Sequence, residues 1–312
     1  MRLVVRSKRA LTHNVVRLRL EDPQGAVLPP FEAGAHLDLA FGGMTRSYSI
    51  TSPPDRATHY EIAVLRVERG RGGSAFVHDR LSIGDEILAD RPFNTFGLMG
   101  RPRHVVFIAG GIGITPFFTM TRACIHVGAT FELHYVARTR ADHLPLQMPE
   151  AGAVFKYTSR EHGAPGRGTG ALDIRGVLER TRPGAHVYAC GPQRMLDAVR
   201  SIAHELGWSG HRVHVEGFGS AHNAGDRPLQ VQLALSGVSL RVEPGTSILQ
   251  AMLDNGVWAN YACRRGECGS CYVEVSHGDV DHRDVCLSDA QRLAGMCPCV
   301  SWSRSERLSL QA

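Results

Sequence analysis

The stretch that decides the fold of this chain reads Cys263-Arg264-Arg265-Gly266-Glu267-Cys268-Gly269-Ser270-Cys271. Its cysteines have the spacing C-x4-C-x2-C, which binds plant-type [2Fe–2S] clusters together with a fourth cysteine further along the chain. Each iron takes two thiolates, so a tight loop has to bring three sulfurs around a small inorganic core. Gly266 and Gly269 let the backbone adopt positive φ and approach such a core without a Cβ clash.

Two downstream cysteines are candidates for the fourth ligand. Cys297 and Cys299 flank Pro298, and period-2 alternation would place both on one face of a strand. Spacing alone does not choose between them. A zinc site usually takes paired C-x2-C units, and a disulfide framework belongs to small secreted domains. The pattern therefore predicts an iron–sulfur cluster, and it leaves Cys124, Cys190 and Cys286 as free thiols.

Composition limits the possible functions. The chain has 312 residues, 43% of them hydrophobic and 21% charged, which predicts a globular protein of two or three domains. The net charge is +5, but the arginines are scattered among acidic residues, so we expect no nucleic-acid binding. The N-terminus has no signal-peptide pattern, and no stretch is long enough to span a membrane. We therefore expect a protein of the reducing cytoplasm, without membrane contact. We also expect a monomer.

Residues 1–100 read as a small antiparallel β-barrel. Alternating apolar and polar residues predict strands at Val15–Leu20, His36–Ala40 and Tyr60–Val67, and one helix is predicted at Gly73–Asp79. Two patches in this region could bind a flavin and its phosphate. They are Arg46-Ser47-Tyr48-Ser49 and Arg69-Gly70-Arg71-Gly72-Gly73-Ser74. An Arg can hold a phosphate, a Tyr can cover a planar ring, and a Ser hydroxyl can bond a ring heteroatom. Alone, each patch could equally be an ordinary strand or turn.

Residues 101–222 alternate strands and helices, which predicts a parallel sheet that binds a nucleotide. The apolar strand His104–Ala109 leads into Gly110-Gly111-Ile112-Gly113-Ile114-Thr115-Pro116 and a helix from Phe117 to about Val127. This turn differs from the G-x-G-x-x-G fingerprint. Arg138 ends the next predicted strand, Phe131–Arg138, and Cys190-Gly191-Pro192 ends the strand that begins at His186. A helix from Gln193 to about Leu206 and a strand at Arg212–Phe218 close the domain.

Residues 223–312 have the element order of a ferredoxin domain. A linker over 219–228 precedes a hairpin of Leu229–Leu235 and Val238–Val242, which Ser236-Gly237 joins. A separate Gly-rich loop is predicted at Gly163–Gly170, in the preceding domain. Thr246-Ser247 can cap a helix from Ile248 to about Asn255, which Gly256 ends and the cysteine loop follows. The predicted fold is thus multidomain, α+β and α/β. It comprises an antiparallel flavin-binding β-barrel, a parallel-sheet nucleotide-binding domain and a C-terminal β-grasp ferredoxin.

The three parts, in this order, resemble the phthalate dioxygenase reductase family, and vanillate O-demethylase reductases look similar. The resemblance covers essentially the whole chain. It implies FMN rather than FAD, NADH as electron donor, and a Rieske-type oxygenase as electron acceptor. The implied reaction is hydride transfer from NADH to FMN, followed by single-electron transfer through the [2Fe–2S] cluster to the partner. NADH over NADPH rests mainly on the resemblance, because Arg138 could also contact a 2′-phosphate.

The resemblance also implies roles for particular residues. FMN would contact Arg46, Tyr48 and Ser49, its phosphate would bind at Gly72, Gly73 and Ser74, and Phe218 would lie beside the flavin. The residues that would hold NADH are Gly110, Gly111, Gly113, Thr115, Pro116, Arg138, Cys190, Gly191 and Pro192. Ser49, Thr115, Cys190 and Phe218 would position the reactants. The match of Asp281–Asp284 and of Cys299-Val300-Ser301 to the family favours Cys263, Cys268, Cys271 and Cys299 as cluster ligands. Trp302 departs from the family pattern and would either change a docking surface or pack inside.

Two other functions compete with this interpretation. One is a reductase for a diiron hydroxylase or a cytochrome, but such reductases often place the ferredoxin first and use FAD. The other is a redox sensor or electron carrier without NADH turnover. The intact glycine turns at Gly110–Gly113 and Cys190–Pro192 argue against that second alternative.

Overall fold

The computed structural model describes residues 1–54, 58–68, 70, 72–145, 152–160, 172–218, 225–264, 266, 268–284 and 286–312. Several predicted features lie outside the described residues: Arg69 and Arg71 of the glycine-rich patch, the loop Gly163–Gly170, the linker residues 219–224, and Arg265 and Glu267 of the cysteine loop. The chain divides into two compact units, Met1–Phe218 and Gly219–Ala312, and each unit has its own hydrophobic core.

The N-terminal part of the first unit is an antiparallel barrel. Its elements are β1 (Arg2–Thr12), β2 (Val15–Glu21), β3 (His36–Phe41), β4 (Met44–Ser49), β5 (Tyr60–Leu65), α1 (Gly73–Asp79) and β6 (Glu86–Ala89). The strand order is β4-β3-β6-β1-β2-β5. A bridge between Ile50 and Ile62, together with a 2.8 Å hydrogen bond from the Thr51 amide to the Glu61 carbonyl, joins the two outer strands. Closure removes the sheet edges and confirms the predicted barrel.

The second part of this unit is a five-stranded parallel sheet. Its elements are β7 (His104–Gly110), a 3₁₀ turn (Gly111–Ile114), α2 (Thr115–His126), β8 (Thr130–Ala137), a 3₁₀ turn (Arg140–Asp142), β9 (Ala153–Thr158), α3 (Ile174–Arg180), β10 (His186–Cys190), α4 (Gln193–Glu205), a 3₁₀ turn (Gly210–Arg212) and β11 (Val213–Glu216). The order β11-β10-β7-β8-β9 places β7 at the centre, which explains its continuous apolar sequence.

Two details of this sheet differ from the sequence prediction. Helix α2 begins at Thr115 rather than Phe117, because Pro116 fits the first helical turn, where a missing N–H costs nothing. Strand β9 was not predicted at all. It is an edge strand in which four of six residues are exposed, so its sequence lacks the alternation of a half-buried strand.

The second unit is a mixed sheet with one packed helix. Its elements are β12 (Leu229–Leu233), β13 (Val238–Val242), α5 (Ile248–Asp254), β14 (Val273–His277), β15 (Val280–Asp281), α6 (Asp289–Ala294), β16 (Gly295–Met296), β17 (Trp302–Ser303) and β18 (Arg307–Leu310). The main sheet has the order β13-β12-β18-β14-β16, and β15 pairs with β17. The side chain of Ser247 accepts a 3.1 Å hydrogen bond from the Gln250 amide, which confirms the predicted cap of α5. This unit has the fold of a ferredoxin domain.

The strand predicted to carry Cys297 and Cys299 is wrong, and the structure shows whether Trp302 is exposed or packed inside. Cys297 and Cys299 do not lie on a strand, because β16 ends at Met296 and a turn follows, with the Ser301 amide 3.0 Å from the Cys297 carbonyl. Pro298 has no N–H to donate to a β-ladder, which favours the turn. Trp302 is only 2% exposed, and its indole N–H donates to the Arg227 carbonyl at 3.2 Å. It therefore packs in the core rather than on a surface.

Among the described residues, no helix combines the length and apolar character needed to cross a lipid bilayer.

Candidate functional site

The four predicted cluster cysteines lie in two close pairs. The Cys263 amide donates to the Cys268 sulfur at 3.5 Å, and the sulfurs of Cys271 and Cys299 are 3.3 Å apart. Three of these cysteines are buried and Cys268 is exposed. No three His, Cys, Asp or Glu side chains among the described residues converge on a point that would suit a single metal ion. Two separate thiol pairs are what a two-iron cluster needs, since each iron binds two thiolates.

The backbone of the cysteine loop has the conformation that its glycines suggested. Gly266 and Gly269 both have φ of 71°. A Cβ atom at Gly266 would lie 2.4 Å from a methyl carbon of Val300, so glycine is required there by packing as well as by φ. Arg264, with φ of 52°, is the only non-glycine residue of the described part of the chain with positive φ. Its guanidinium lies over the Tyr261 ring, 4.2 Å from the centroid.

A buried carboxylate connects the segments that surround the cysteine loop. Asp284 accepts hydrogen bonds from the Leu287 amide at 3.2 Å and the Ser301 hydroxyl at 3.3 Å, and it pairs with Arg292 at 3.3 Å. Arg283 pairs with Asp226. Arg283 and Asp284 belong to the Asp281–Asp284 run, which matched the family pattern without a predicted role. The contacts fix the turn that carries Cys299.

Cys297 lies beside the cluster cysteines, where its thiol hydrogen-bonds to Cys271 and also lies close to a cysteine outside the predicted ligand set. Its sulfur is 3.9 Å from that of Cys286, a contact that cysteine spacing did not predict. Hydrogen bonds from the thiols of Cys297 and Cys299 hold the pKa of Cys271 well below its ordinary value.

The predicted flavin residues meet at one end of β4. Arg46 and Tyr48 alternate along the strand with Ser47, which is exposed and donates to Asp38. Burial raises the pKa of Tyr48 to about 12, so its phenol stays neutral at pH 7. Ser49 is 5% exposed, and its hydroxyl has no hydrogen-bond partner among the described residues. A buried polar atom left unpaired is costly, and a bound ligand would supply the missing partner.

The glycine turn before α1 lies against Arg46. Gly72 has φ of 78°, a left-handed conformation that suits glycine. A Cβ at Gly73 would lie 2.7 Å from the Arg46 guanidinium Nε, so the arginine side chain crosses the start of the helix. The Ser74 hydroxyl accepts a 3.0 Å hydrogen bond from the Val67 amide and keeps its own proton available to donate. A cation beside the amides at the start of a helix suits a phosphate group.

The two predicted nucleotide turns interlock at the carboxyl edge of the parallel sheet. Gly110 ends β7, and Cys190 ends the neighbouring strand β10. A Cβ at Gly110 would lie 2.6 Å from the Pro192 ring, and one at Gly113 would lie 2.2 Å from the Cys190 carbonyl oxygen. Glycine at these two positions therefore allows the turns to touch. Ligands bind at this edge in open α/β sheets.

The remaining predicted residues lie around the same edge. Thr115 and Pro116 are buried in the first turn of α2, where the Thr115 hydroxyl donates to the Ile112 carbonyl at 3.0 Å. Gly111 has φ of 55°. Arg138 is exposed directly after β8, and Phe218 lies two residues after β11. Within the described residues, no hydrogen bond or ion pair joins Arg138 or Phe218 to the glycine turns.

Sequence reasoning missed one group at this edge. Glu216 is buried at the end of β11, and one of its carboxylate oxygens is 3.9 Å from the Cys190 sulfur. In the sequence it occupies an ordinary alternating position of a strand. Only the register of β10 against β11, which pairs Cys190 with Glu216, brings the carboxylate to the predicted nucleotide site.

Comparisons with known proteins agree with this arrangement. Residues 107–201 match the family described as oxidoreductase NAD-binding domain, and residues 231–302 match the family described as 2Fe-2S iron-sulfur cluster binding domain. The chain is 38% identical to phthalate dioxygenase reductase of Burkholderia cepacia, over 99% of this chain and 97% of that protein. It is 33% identical to vanillate O-demethylase oxidoreductase of Pseudomonas sp. (strain HR199 / DSM 7063), over 99% and 98%.

A solved structure is similar over the same length. It is described as phthalate dioxygenase reductase, a modular structure for electron transfer from pyridine nucleotides to [2Fe-2S]. The TM-score is 0.80 and the identity 35%, and the match covers 100% of this chain and 98% of the other. Both units of the chain therefore have counterparts in one known architecture.

Proposed function

The chain belongs to the phthalate dioxygenase reductase family, and we propose that it is the reductase component of a Rieske-type oxygenase system that oxygenates or O-demethylates aromatic compounds. It would take electrons from NADH and pass them through FMN and a [2Fe–2S] cluster to the oxygenase. The observation that carries this proposal is the pairing of Cys263 with Cys268 and of Cys271 with Cys299, in a chain that matches such reductases from end to end. When bound, these cofactors would supply the conversion of two-electron donation by a nicotinamide into one-electron delivery to a partner, while the residues described below would bind and orient them.

The cluster would be held by the four paired cysteines. Cys263 and Cys268 would bind one iron, and Cys271 and Cys299 the other. Burial of three ligands keeps water from the sulfurs, while the exposed Cys268 marks the side from which an electron can leave. The backbone amide of Cys263 donates to the Cys268 sulfur and would help to set the reduction potential of a bound cluster.

FMN would be held by residues at the end of β4 and at the start of α1. Arg46 and the amides of Gly72, Gly73 and Ser74 would bind its phosphate, because they combine a fixed cation with donors at the start of α1. The neutral Tyr48 ring would cover the flavin, and the Ser49 hydroxyl would hydrogen-bond to it. No general acid or base is needed for hydride transfer, so these residues only bind and orient.

NADH would bind at the carboxyl edge of the parallel sheet. Gly110, Gly111, Gly113 and Pro116 would shape the turn that receives the pyrophosphate, and Cys190, Gly191 and Pro192 would form the opposite wall. Thr115, Cys190 and Phe218 would position the nicotinamide, and Arg138 would contact the nucleotide from beyond β8. We further propose domain boundaries at 1–100, 101–222 and 223–312, a monomer, and a cytoplasmic location, where thiols stay reduced.

Replacing Ser49 with alanine tests the flavin site. We expect Ser49→Ala to weaken FMN binding about 2- to 12-fold, the effect of one lost hydrogen bond of 0.5–1.5 kcal/mol. The FMN-free protein should keep or slightly raise its free energy of unfolding, because the hydroxyl has no partner within the described residues. Fluorescence titration with FMN and urea denaturation of the flavin-free protein measure the two effects.

Ser47→Ala is the matched control, since this hydroxyl lies on the same strand but is exposed. It should leave FMN affinity unchanged. Equal FMN affinity in wild type and Ser49→Ala would remove Ser49 from the flavin site.

Anaerobic titration with NADH tests the proposed function. We expect the flavin absorbance to bleach and the EPR signal of a reduced [2Fe–2S] cluster to appear at low temperature. NADPH at the same concentration serves as the comparison for nucleotide choice. Bleaching without the cluster signal would contradict electron transfer to the ferredoxin domain. Absence of bleaching would favour an electron carrier or sensor over a reductase.

A further inference from the structure

Two cysteines outside the proposed ligand set lie together beside the cluster loop. The sulfurs of Cys286 and Cys297 are 3.9 Å apart. Cys297 is fully buried, at 0% exposure, whereas Cys286 is partly exposed. A Cβ atom at Gly269, between the second and third loop cysteines, would lie 3.7 Å from the Cys286 sulfur. The Cys297 thiol also hydrogen-bonds to Cys271, so the pair adjoins the predicted cluster while standing outside the ligand set that the family match favours.

We propose that Cys286 and Cys297 are an oxidation site that forms a disulfide when the protein meets a hydroperoxide, while the four ligand thiolates remain on iron. This inference rests on the proposed function, because it takes Cys271 and Cys299 as cluster ligands. The bond would link the loop after Asp284 to the turn that carries Cys299, and would enclose α6.

The reaction is balanced by one hydrogen peroxide molecule per disulfide. The sulfur of Cys286 attacks one peroxide oxygen, the O–O bond breaks, and a sulfenic acid and water form. The sulfur of Cys297 then attacks the Cys286 sulfur, the S–O bond breaks, and the S–S bond and a second water form. The two thiols lose two electrons, the peroxide gains two, and both thiol protons end in water.

Exposure assigns the two roles. Cys286 is the sulfur that a small oxidant can reach from solvent, and Cys297 is held within 3.9 Å as the resolving thiol. A disulfide requires about 2.05 Å between the sulfurs, so a modest rotation of the partly exposed Cys286 side chain has to bring it closer. Cys124, also unassigned, is fully buried in the first unit and serves as a reference thiol.

Peptide mapping of the peroxide-treated holoprotein tests the proposal. Iron-loaded protein receives a limited amount of hydrogen peroxide, catalase removes the excess, and free thiols are alkylated before digestion with trypsin without reductant. Cys286 lies on the tryptic peptide 284–292, and Cys297 on 293–304 together with Cys299. We expect a cross-link between these peptides that fragmentation assigns to Cys286 and Cys297, that dithiothreitol removes, and that forms without loss of iron.

Three variants make the result specific. Cys286→Ala and Cys297→Ala should each abolish the cross-link, and Cys124→Ala should leave it unchanged. Oxidation of Cys286 to a sulfinic acid without any cross-link would overturn the proposal, as would a cross-link to Cys299 in protein that retains its iron. Protein that contains no iron before peroxide is added would overturn the proposed function and this inference with it, whereas iron-loaded protein without the cross-link would overturn the inference alone.

Discussion

Replacing Cys299 with serine is expected to remove most of the iron and inorganic sulfide from the purified protein. The Cys299 sulfur lies 3.3 Å from that of Cys271 and is buried, so no water can easily take its place as a ligand. A serine hydroxyl is a harder and much less acidic donor than a thiol, and iron–sulfur clusters select soft thiolates. Iron and acid-labile sulfide per chain, together with the visible absorption of the cluster, measure the loss.

Cys297→Ser is the matched control, since it makes the same chemical change two residues away. Its thiol contacts both Cys271 and Cys286 but is outside the ligand set that the family match favours, so we expect the variant to keep its iron. A hydroxyl buried here has only the weak sulfur acceptors of Cys271 and Cys286 as neighbours, so this variant should unfold at lower urea but retain the cluster. If Cys297→Ser loses iron while Cys299→Ser retains it, the fourth ligand is Cys297. Partial iron in Cys299→Ser that disappears in the double variant would show that Cys297 substitutes for the missing thiolate.

The cysteine site shows which cluster ligands can be predicted from local sequence and which depend on the tertiary fold. Three candidate ligands follow from spacing alone, because they lie within nine residues and the loop geometry is local. The fourth candidate is 28 residues further on, and its place depends on how the turn after β16 folds against the loop. The alternation of Cys297 and Cys299 suggested a strand, but the segment is a turn. Pro298 favours the turn because it has no N–H to donate to a β-ladder.

The barrel and the parallel sheet were predictable for a different reason. Alternating apolar residues in β2, β3 and β5 and the continuous apolar run of β7 report which faces are buried, and this fixes the type of each element. Exposed strands such as β9 lack that signal. The apolar pattern also does not predict contacts between elements. The proximity of Glu216 to Cys190 therefore became visible only from the register of β10 against β11.

The glycines of the nucleotide turns were predictable as a turn from the sequence, but the contacts that require them are seen only in the structure. Sequence marked Gly110–Gly113 as a turn that could approach a phosphate. The structure adds that Gly110 and Gly113 face the Cys190–Pro192 turn at distances that exclude any side chain. Their identity is therefore constrained by contact between two turns, in addition to the proposed contact with NADH.

Gly113→Ala is accordingly expected to damage both stability and reaction with NADH. The new Cβ would lie 2.2 Å from the Cys190 carbonyl oxygen and 2.5 Å from its carbon. These are backbone atoms at the end of β10, which hydrogen-bonded pairing with β7 holds in place, so they cannot move cheaply. Overpacking of this kind typically costs 1–3 kcal/mol, and a shift of the turn would also displace the nucleotide edge. Urea denaturation measures the first effect, and anaerobic stopped-flow reduction of the flavin by NADH measures the second.

Gly210→Ala is the control for this prediction. A Cβ at Gly210 meets no heavy atom within 4 Å, and its φ is not positive, so the added methyl group should change neither stability nor flavin reduction. Binding to the protein and hydride transfer can be separated by varying NADH concentration in the stopped-flow experiment. A displaced turn should raise the NADH concentration needed for half-maximal rate, because the turn would no longer contact the pyrophosphate of NADH. If Gly113→Ala unfolds and reacts like the wild type, the two turns do not touch, and the proposed NADH site loses its structural basis.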